Sequence, residues 1–196
     1  MWKYKTPGIP DSNFERIDDV PITKEEVRTV QISKARLSPG NIVHDIGCGS
    51  GSISIEAALQ IENSGKVYAI DFDSKAIELT KKNSEKFQVE NVSVIFGNAK
   101  EKILELPEAD AIFIGGTGGD TKEIIELAKN KLKEGGRIVI GVILIETLFS
   151  VIKTLEEINF SEIDITQITI SKSRKTSTGT MMLAKNPVTV ISATKS

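Results

Sequence analysis

Residues 43–52, Val43-His44-Asp45-Ile46-Gly47-Cys48-Gly49-Ser50-Gly51-Ser52, set three glycines at alternate positions directly after a short apolar run and just ahead of a helix-like segment. In an open α/β sheet, ligands sit beyond the carboxyl ends of the strands, where amides at the start of the next helix can donate to them. Glycine at 47, 49 and 51 lets a ligand touch backbone. The spacing is G-x-G-x-G, and Ser52 stands where a dinucleotide fingerprint has its third glycine, which weakens a pyrophosphate reading and with it a nicotinamide dehydrogenase. Taken alone, the pattern also describes a tight strand-to-helix turn.

Outward from this loop, apolar runs of strand length alternate with longer helical patterns. The runs are 41–46, 66–71, 92–97, 110–115 and 137–142, and the segments Ser52–Asn63, Ser74–Phe87 and Thr121–Leu132 carry apolar residues near a 3.6 period. That alternation predicts βαβ units and a parallel sheet buried on both faces. Glu146–Ile158 reads as a further helix. The β-rich segments 165–171 and 181–192, separated by the polar run Lys172–Thr180, predict an antiparallel hairpin. Upstream, Pro7, Gly8, Pro10 and Pro21 make residues 1–22 an extended arm. Thr23-Lys24-Glu25-Glu26 reads as a capping box opening a helix to about Leu37, which Ser38-Pro39-Gly40 ends.

The chain has 196 residues, 39% hydrophobic and 27% charged, with a formal net charge of -2. These values predict one globular domain over 1–196 and argue against a general polyanion-binding surface, so no nucleic-acid partner is expected. Cys48 is the single cysteine. It excludes an intramolecular disulfide and a cysteine-rich metal site, so the reading is a reducing cytoplasm and no metal. No apolar run approaches the roughly 20 residues that span a bilayer, so no membrane partner is expected.

Asp71 ends the second predicted strand 20 residues after Gly51, the separation at which an acidic side chain accepts both hydroxyls of an adenosine ribose. Asp73 lies beyond the strand end and reads as the cap of the helix from Ser74. Gly97-Asn98-Ala99 reads either as an adenine-edge reader or as a simple polar turn. The fourth strand ends in Gly115-Gly116-Thr117-Gly118-Gly119-Asp120. The Asp/Asn-Pro-Pro-aromatic cluster of amino-group methylases is absent there, which leaves a glycine loop ahead of a helix start as a receiver of carboxylates. Lys172, Arg174 and Lys175 are a second candidate receiver, or solvated surface. His44 reads as a core residue, and Cys48 as a small loop residue rather than a nucleophile.

Together, the strand–GCGSG–helix, Asp71 and the β-rich tail resemble the class I S-adenosylmethionine-dependent methyltransferases, a Rossmann-like α/β fold. The stretches GIPDSNF (8–14), VPITKEEVR (20–28), DIGCGSGSISIEAA (45–58), VYAIDFD (67–73), FIGGTGG (113–119), GGRIVI (135–140) and MMLAKNPV (181–188) are similar, in order, to the decarboxylating cobalt-precorrin-6B C(15)-methyltransferases of anaerobic cobalamin synthesis. The N-terminal and FIGGTGG matches are the specific ones. The resemblance implies a mostly parallel seven-stranded sheet with its last strand antiparallel, a tetrameric oligomer and S-adenosylmethionine as cofactor. It also implies cofactor contacts at Thr23, Gly47, Cys48, Gly49, Ser50, Gly51, Asp71 and Ala99, with a polycarboxylated tetrapyrrole as substrate. The chain departs from the family pattern at Asn98, where an aspartate is common, and across ILIET (143–147). The implied reaction methylates carbon 15 and releases the carboxyl of the carbon 12 acetate as carbon dioxide. The rival readings are an RNA methyltransferase, disfavoured by the 5% aromatic content, and a non-catalytic adenosine-nucleotide binding protein.

Overall fold

The computed structural model describes residues 2–116 and 119–196. Its main sheet has seven strands: β1 (Ile42–Ile46), β2 (Lys66–Asp71), β3 (Val92–Phe96), β4 (Ala109–Ile114), β5 (Leu132–Val142), β6 (Phe160–Ile168) and β9 (Val188–Lys195). They lie in the order β3-β2-β1-β4-β5-β9-β6. All neighbouring pairs among the first five are parallel, and β9 runs antiparallel to both β5 and β6. This is the expected sheet with one reversed strand. Strand order reverses between β1 and β4, so the loops following these two strands share the crevice where such sheets bind ligands.

The helices are α1 (Glu25–Ala35), α2 (Ser52–Ile61), α3 (Ser74–Phe87), α4 (Ala99–Glu105), α5 (Thr121–Lys131) and α6 (Ile145–Glu157). Successive residues of each strand feed opposite cores. Ala111, Phe113 and Val139 join α1 and α2, whereas Ile112, Ile114, Ile138 and Ile140 join α4, α5 and α6. A sheet covered on both faces needs apolar side chains at every position, which is why its strands read as continuous apolar runs.

Three features differ from the sequence expectation. First, α1 has no capping box: its N-cap is Lys24, with no side-chain cap hydrogen bond. Glu25 and Glu26 instead both receive Lys172 Nζ, at 2.7 and 2.6 Å, and the Thr23 carbonyl accepts from Arg28. A cation arriving from a distant strand outcompetes the local cap. Second, the predicted hairpin forms as the antiparallel β6–β9 pair, but the polar run between is itself structured, as a ribbon of β7 (Ser171–Thr176) and β8 (Gly179–Ala184) outside the main sheet. Third, the short helix α4 was not expected, having only seven residues.

The arm over residues 2–22 includes a 3₁₀ turn, Asp11–Asn13, and is fastened to the body. Ile9 and Phe14 are buried against Ile55 and Phe87. Arg28, fully buried, bonds Glu56 at 2.6 Å, reaches Asp11 and the carbonyls of Ile9 and Thr23, and lies under the Phe14 ring. Glu56 in turn accepts from the amides of Gly8 and Ile9, both at 2.9 Å. Four guanidinium N–H bonds and three bonds accepted by Glu56 thus compensate this buried ion pair, the condition under which burying charge is tolerated.

Candidate active site

The two glycine loops meet back to back at the reversal of strand order. The Gly115 amide donates to the Ile46 carbonyl at 2.8 Å. A Cβ on Gly47 would stand 2.7 Å from the Gly116 oxygen, and one on Gly115 would stand 2.9 Å from the Gly47 oxygen. Glycine at these positions is set by the mutual approach of the two backbones.

The amides of the first loop are not bare, contrary to the expectation of free donors. Gly47 and Cys48 donate to the Ile70 carbonyl, Ser50 to the Pro21 carbonyl and Gly51 to the Cys48 carbonyl. Gly49 donates to Asp71 Oδ2 at 2.9 Å, while the Asp73 amide takes Asp71 Oδ1 at 3.0 Å. The loop therefore presents a fixed, concave backbone wall, and the Asp71 carboxylate is aligned by two backbone donors. A carboxylate has lone pairs for about four partners, so acceptor capacity remains for two hydroxyls. Asp73 also caps α3 as expected, accepting from the Lys75 amide at 2.9 Å.

Under this wall, burial pushes the Asp45 carboxyl up to about 6, aided by the negative charge of Asp71 and opposed by a hydrogen bond from Ser54. Burial also raises the Cys48 thiol well above its ordinary range, and its sulfur lies 3.5 Å from the Thr80 hydroxyl. It stays a neutral loop residue, as read from sequence. His44 is fully buried edge-on to Tyr68, and burial lowers its imidazole to about 4, so it is a neutral core residue.

Beside Asp71, the Gly97 amide donates to the Asp71 carbonyl at 2.9 Å and brings Gly97-Asn98-Ala99 alongside. The Asn98 side chain caps α4 through its oxygen, accepting from the Lys100 amide at 2.9 Å, which fixes its orientation beside the main chain at Ala99. Phe72 and Phe96, at the ends of β2 and β3, are 70% and 60% exposed. Two uncovered aromatic faces next to a ribose acceptor suit a stacked purine. Sequence reasoning passed over them because aromatic residues at strand ends read as core.

A cavity of about 1030 Å³ opens from these loops and runs across the sheet past β5. Thr23, Gly47, Cys48 and Gly49 line it at one end, with Gly115, Gly116 and Gly119 beside them. Ser50, Gly51, Asp71 and Ala99, also expected to contact the cofactor, are not among the residues that line it. Thr117 and Gly118 lie outside the described residues. The remaining walls come from Gln31 of α1, Gly141 and Val142 at the end of β5 with Ile143 and Leu144 after it, Thr147 and Ser150 of α6, and Ala184–Asn186 before β9. The sequence drew attention to ILIET (143–147) and MMLAKNPV (181–188), but it gave no cavity role to Gln31, Gly141 or Ser150, which three different elements deliver. The Lys172, Arg174 and Lys175 run does not line the cavity: Lys172 is held by Glu25 and Glu26, and the other two are exposed on β7. Lys185 does line it, and it has no ion-pair partner among the described residues.

A family model described as a precorrin methyltransferase domain matches residues 14–195. The chain belongs to the precorrin methyltransferase family. It is 47% identical over 196 residues to a protein of Saccharolobus solfataricus named as a probable cobalt-precorrin-6B C(15)-methyltransferase (decarboxylating), covering 99% of this chain and 98% of that one. A protein of the same name from Methanococcus vannielii is 42% identical over 187 residues, covering 95% and 99%. Among solved structures, a precorrin 8W decarboxylase of Methanobacterium thermoautotrophicum superposes with a TM-score of 0.90 at 36% identity, covering 94% of this chain and 98% of that one. A precorrin-6y C5,15-methyltransferase of Geobacter metallireducens gives 0.91 at 33%, covering 100% of each. The precorrin methyltransferase domain thus has the class I S-adenosylmethionine-dependent fold read from the sequence, and the matched residues include both glycine loops and the far walls of the cavity.

Proposed function

We propose that this protein methylates carbon 15 of cobalt-precorrin-6B and decarboxylates its carbon 12 acetate, yielding cobalt-precorrin-7. The observation that carries the reading is the cavity, lined both by the first glycine loop and by β5, α6 and residues 184–186. S-adenosylmethionine supplies an electrophilic sulfonium methyl group. Gly47, Cys48, Gly49, Ser50 and Gly51 form the backbone wall against it, Asp71 takes the ribose hydroxyls, and Ala99 and Phe72 border the adenine. Thr23 stands over the loop from the arm. The Gly115, Gly116 and Gly119 backbone separates cofactor from substrate, and Lys185 meets substrate carboxylates. No group of three or more acidic, histidine or cysteine side chains able to hold a metal occurs among the described residues. The chain's share of catalysis is orientation and exclusion of water, since a conjugated macrocycle itself accepts the electrons released with carbon dioxide.

We further propose that the molecule acts in the cytoplasm as an oligomer, a tetramer by family resemblance. The buried unpaired Cys48 and the exposed Met181 and Met182 on the projecting ribbon support this. No helix among the described residues is long and apolar enough to cross a membrane.

Incubation with S-adenosylmethionine and cobalt-precorrin-6B tests the function. Product that gains one methyl and loses one carbon dioxide in equal amounts is expected, read by mass spectrometry. Methyl gain with the acetate retained would confine the activity to methyl transfer. For the cofactor, Asp71→Ala is expected to weaken S-adenosylmethionine binding by about 1.5–3 kcal/mol, the range for lost charge-assisted hydrogen bonds, and unchanged affinity in calorimetry would refute the ribose assignment.

A further inference from the structure

Helix α3 buries three polar side chains, Thr80, Asn83 and Ser84. A buried hydroxyl inside a helix commonly turns back to a carbonyl of the preceding turn. Ser84 does this, its Oγ donating to the Thr80 carbonyl at 2.9 Å. Thr80 does not. Its hydroxyl, fully buried, leaves the helix and donates to the Gly49 carbonyl of the first glycine loop at 3.0 Å. That commits its one proton, so in the 3.5 Å contact between Thr80 Oγ1 and Cys48 Sγ the thiol is the donor. The space left by glycine at 51 is taken by the same side chain: a Cβ on Gly51 would stand 2.7 Å from Thr80 Cγ2 and 2.9 Å from Oγ1.

What Thr80 holds is the peptide between Gly49 and Ser50. A peptide unit is planar. Its carbonyl edge is taken by Thr80 and its N–H edge by the Pro21 carbonyl, at 3.2 Å. Asn83, one turn further along α3, takes the next carbonyl, donating to Ser50 at 2.9 Å. One side of Gly49, a residue type whose backbone is otherwise permissive, is thereby fixed. The amide on its other side donates to Asp71 Oδ2 at 2.9 Å. A line of contacts therefore runs from the Thr80 hydroxyl through the Gly49 backbone to the Asp71 carboxylate.

We infer that Thr80 is a positioning residue for the cofactor: its hydroxyl orients Gly49, and Gly49 aligns the Asp71 carboxylate with the ribose. This rests on the ribose assignment proposed above. Thr80 is fully buried and does not line the cavity, so it acts only through Gly49. Without the hydroxyl, the Gly49 carbonyl loses its donor and the 49–50 peptide can turn about the soft torsions of glycine. The amide that aims Asp71 then drifts off its oxygen.

The test uses Thr80→Val, which keeps the shape against Gly51 and removes the hydroxyl, and Thr80→Ser, which keeps the hydroxyl. S-adenosylmethionine affinity, read by calorimetry, is expected to fall about tenfold in Thr80→Val, the effect of one well-placed hydrogen bond, and to stay within about threefold in Thr80→Ser. A cycle with Asp71→Ala separates positioning from stability. With the carboxylate gone there is nothing left to aim, so Thr80→Val is expected to change the affinity of the Asp71→Ala protein by less than about twofold. A threonine that only stabilised the fold would cost the same factor in both backgrounds.

Native affinity in Thr80→Val overturns the inference. An equal loss in both backgrounds also overturns it by making Thr80 structural, and a loss in Thr80→Ser as large as in Thr80→Val overturns it by assigning the effect to packing on Gly51. If Thr80→Val does not fold, Thr80→Ser and Thr80→Ala, which differ only in the hydroxyl, carry the same comparison. Should the wild-type protein bind no S-adenosylmethionine, the ribose assignment falls, and amide hydrogen exchange decides whether Thr80 orients Gly49. The Gly49 amide is expected to exchange about tenfold faster in Thr80→Val, and an unchanged rate overturns the inference.

Discussion

At Gly49 the backbone turns through a φ of +54°, and a Cβ there would stand 2.8 Å from the Pro21 oxygen. The sequence invites the view that Gly49 is glycine for the ligand's sake, yet the close neighbour is the protein's own arm. A non-glycine residue held in left-handed backbone costs about 1–3 kcal/mol. Gly49→Ala is therefore expected to lower the melting temperature by several degrees even without cofactor. A variant that melts like the wild type but fails to bind S-adenosylmethionine would return the glycine to the ligand. Asp45 makes a separate prediction. Its carboxyl is raised in the folded protein, so the folded state holds its proton more tightly than the unfolded chain, and stability falls as pH rises from about 4 to about 6 and then levels off. Asp45→Asn keeps an acceptor for Ser54 without the ionisation. The stability gap between variant and wild type should widen in the variant's favour by about 3 kcal/mol across that window, as measured by denaturant unfolding at several pH values. A gap independent of pH would show that Asp45 is not desolvated.

Among the elements, the ribbon β7–β8 carries the basic run that the sequence offered as a second candidate receiver of carboxylates, and the turn 184–186 carries a lysine of the cavity wall. Lys172 is committed to α1, whereas Lys185 stands in the cavity wall. Lys185→Ala is expected to raise KM for the tetrapyrrole several-fold, on the order of 1 kcal/mol for an exposed charge pair, and Arg174→Ala to leave KM unchanged. The reverse result in steady-state kinetics would restore the ribbon as the carboxylate receiver. The same elements show what sequence can reveal. Strands β1 to β5 and the crossovers through α2, α3 and α5 were legible because burial on both faces leaves continuous apolar runs, and the glycine loops because short-range spacing defines them. The ribbon was not, since SKSRKT has no apolar face and both its faces are exposed. Phe72 and Lys185 were missed for another reason: they come beside the site only when the end of β2 and the turn before β9 converge on it.

Across the whole molecule, the buried Arg28–Glu56 pair links the arm, α1 and α2, and the arm in turn rests on the first glycine loop through Pro21. Arg28→Met would leave Glu56 buried without its counter-charge, a loss of about 3–5 kcal/mol. It should also release the Pro21–Thr23 segment, so S-adenosylmethionine affinity is expected to fall along with thermal stability. If calorimetry on the folded variant shows native affinity, arm and cofactor wall are independent. The sheet carries one more consequence, which concerns time. Strand β9 fills a slot between β5 and β6, which do not touch each other along the sheet. A ribosome delivers β5 and β6 before residues 188–195, so on the nascent chain β5 waits with an unpaired edge, a template to which another nascent chain could add. Of all the strands, the last to be synthesised is the one that seals the sheet.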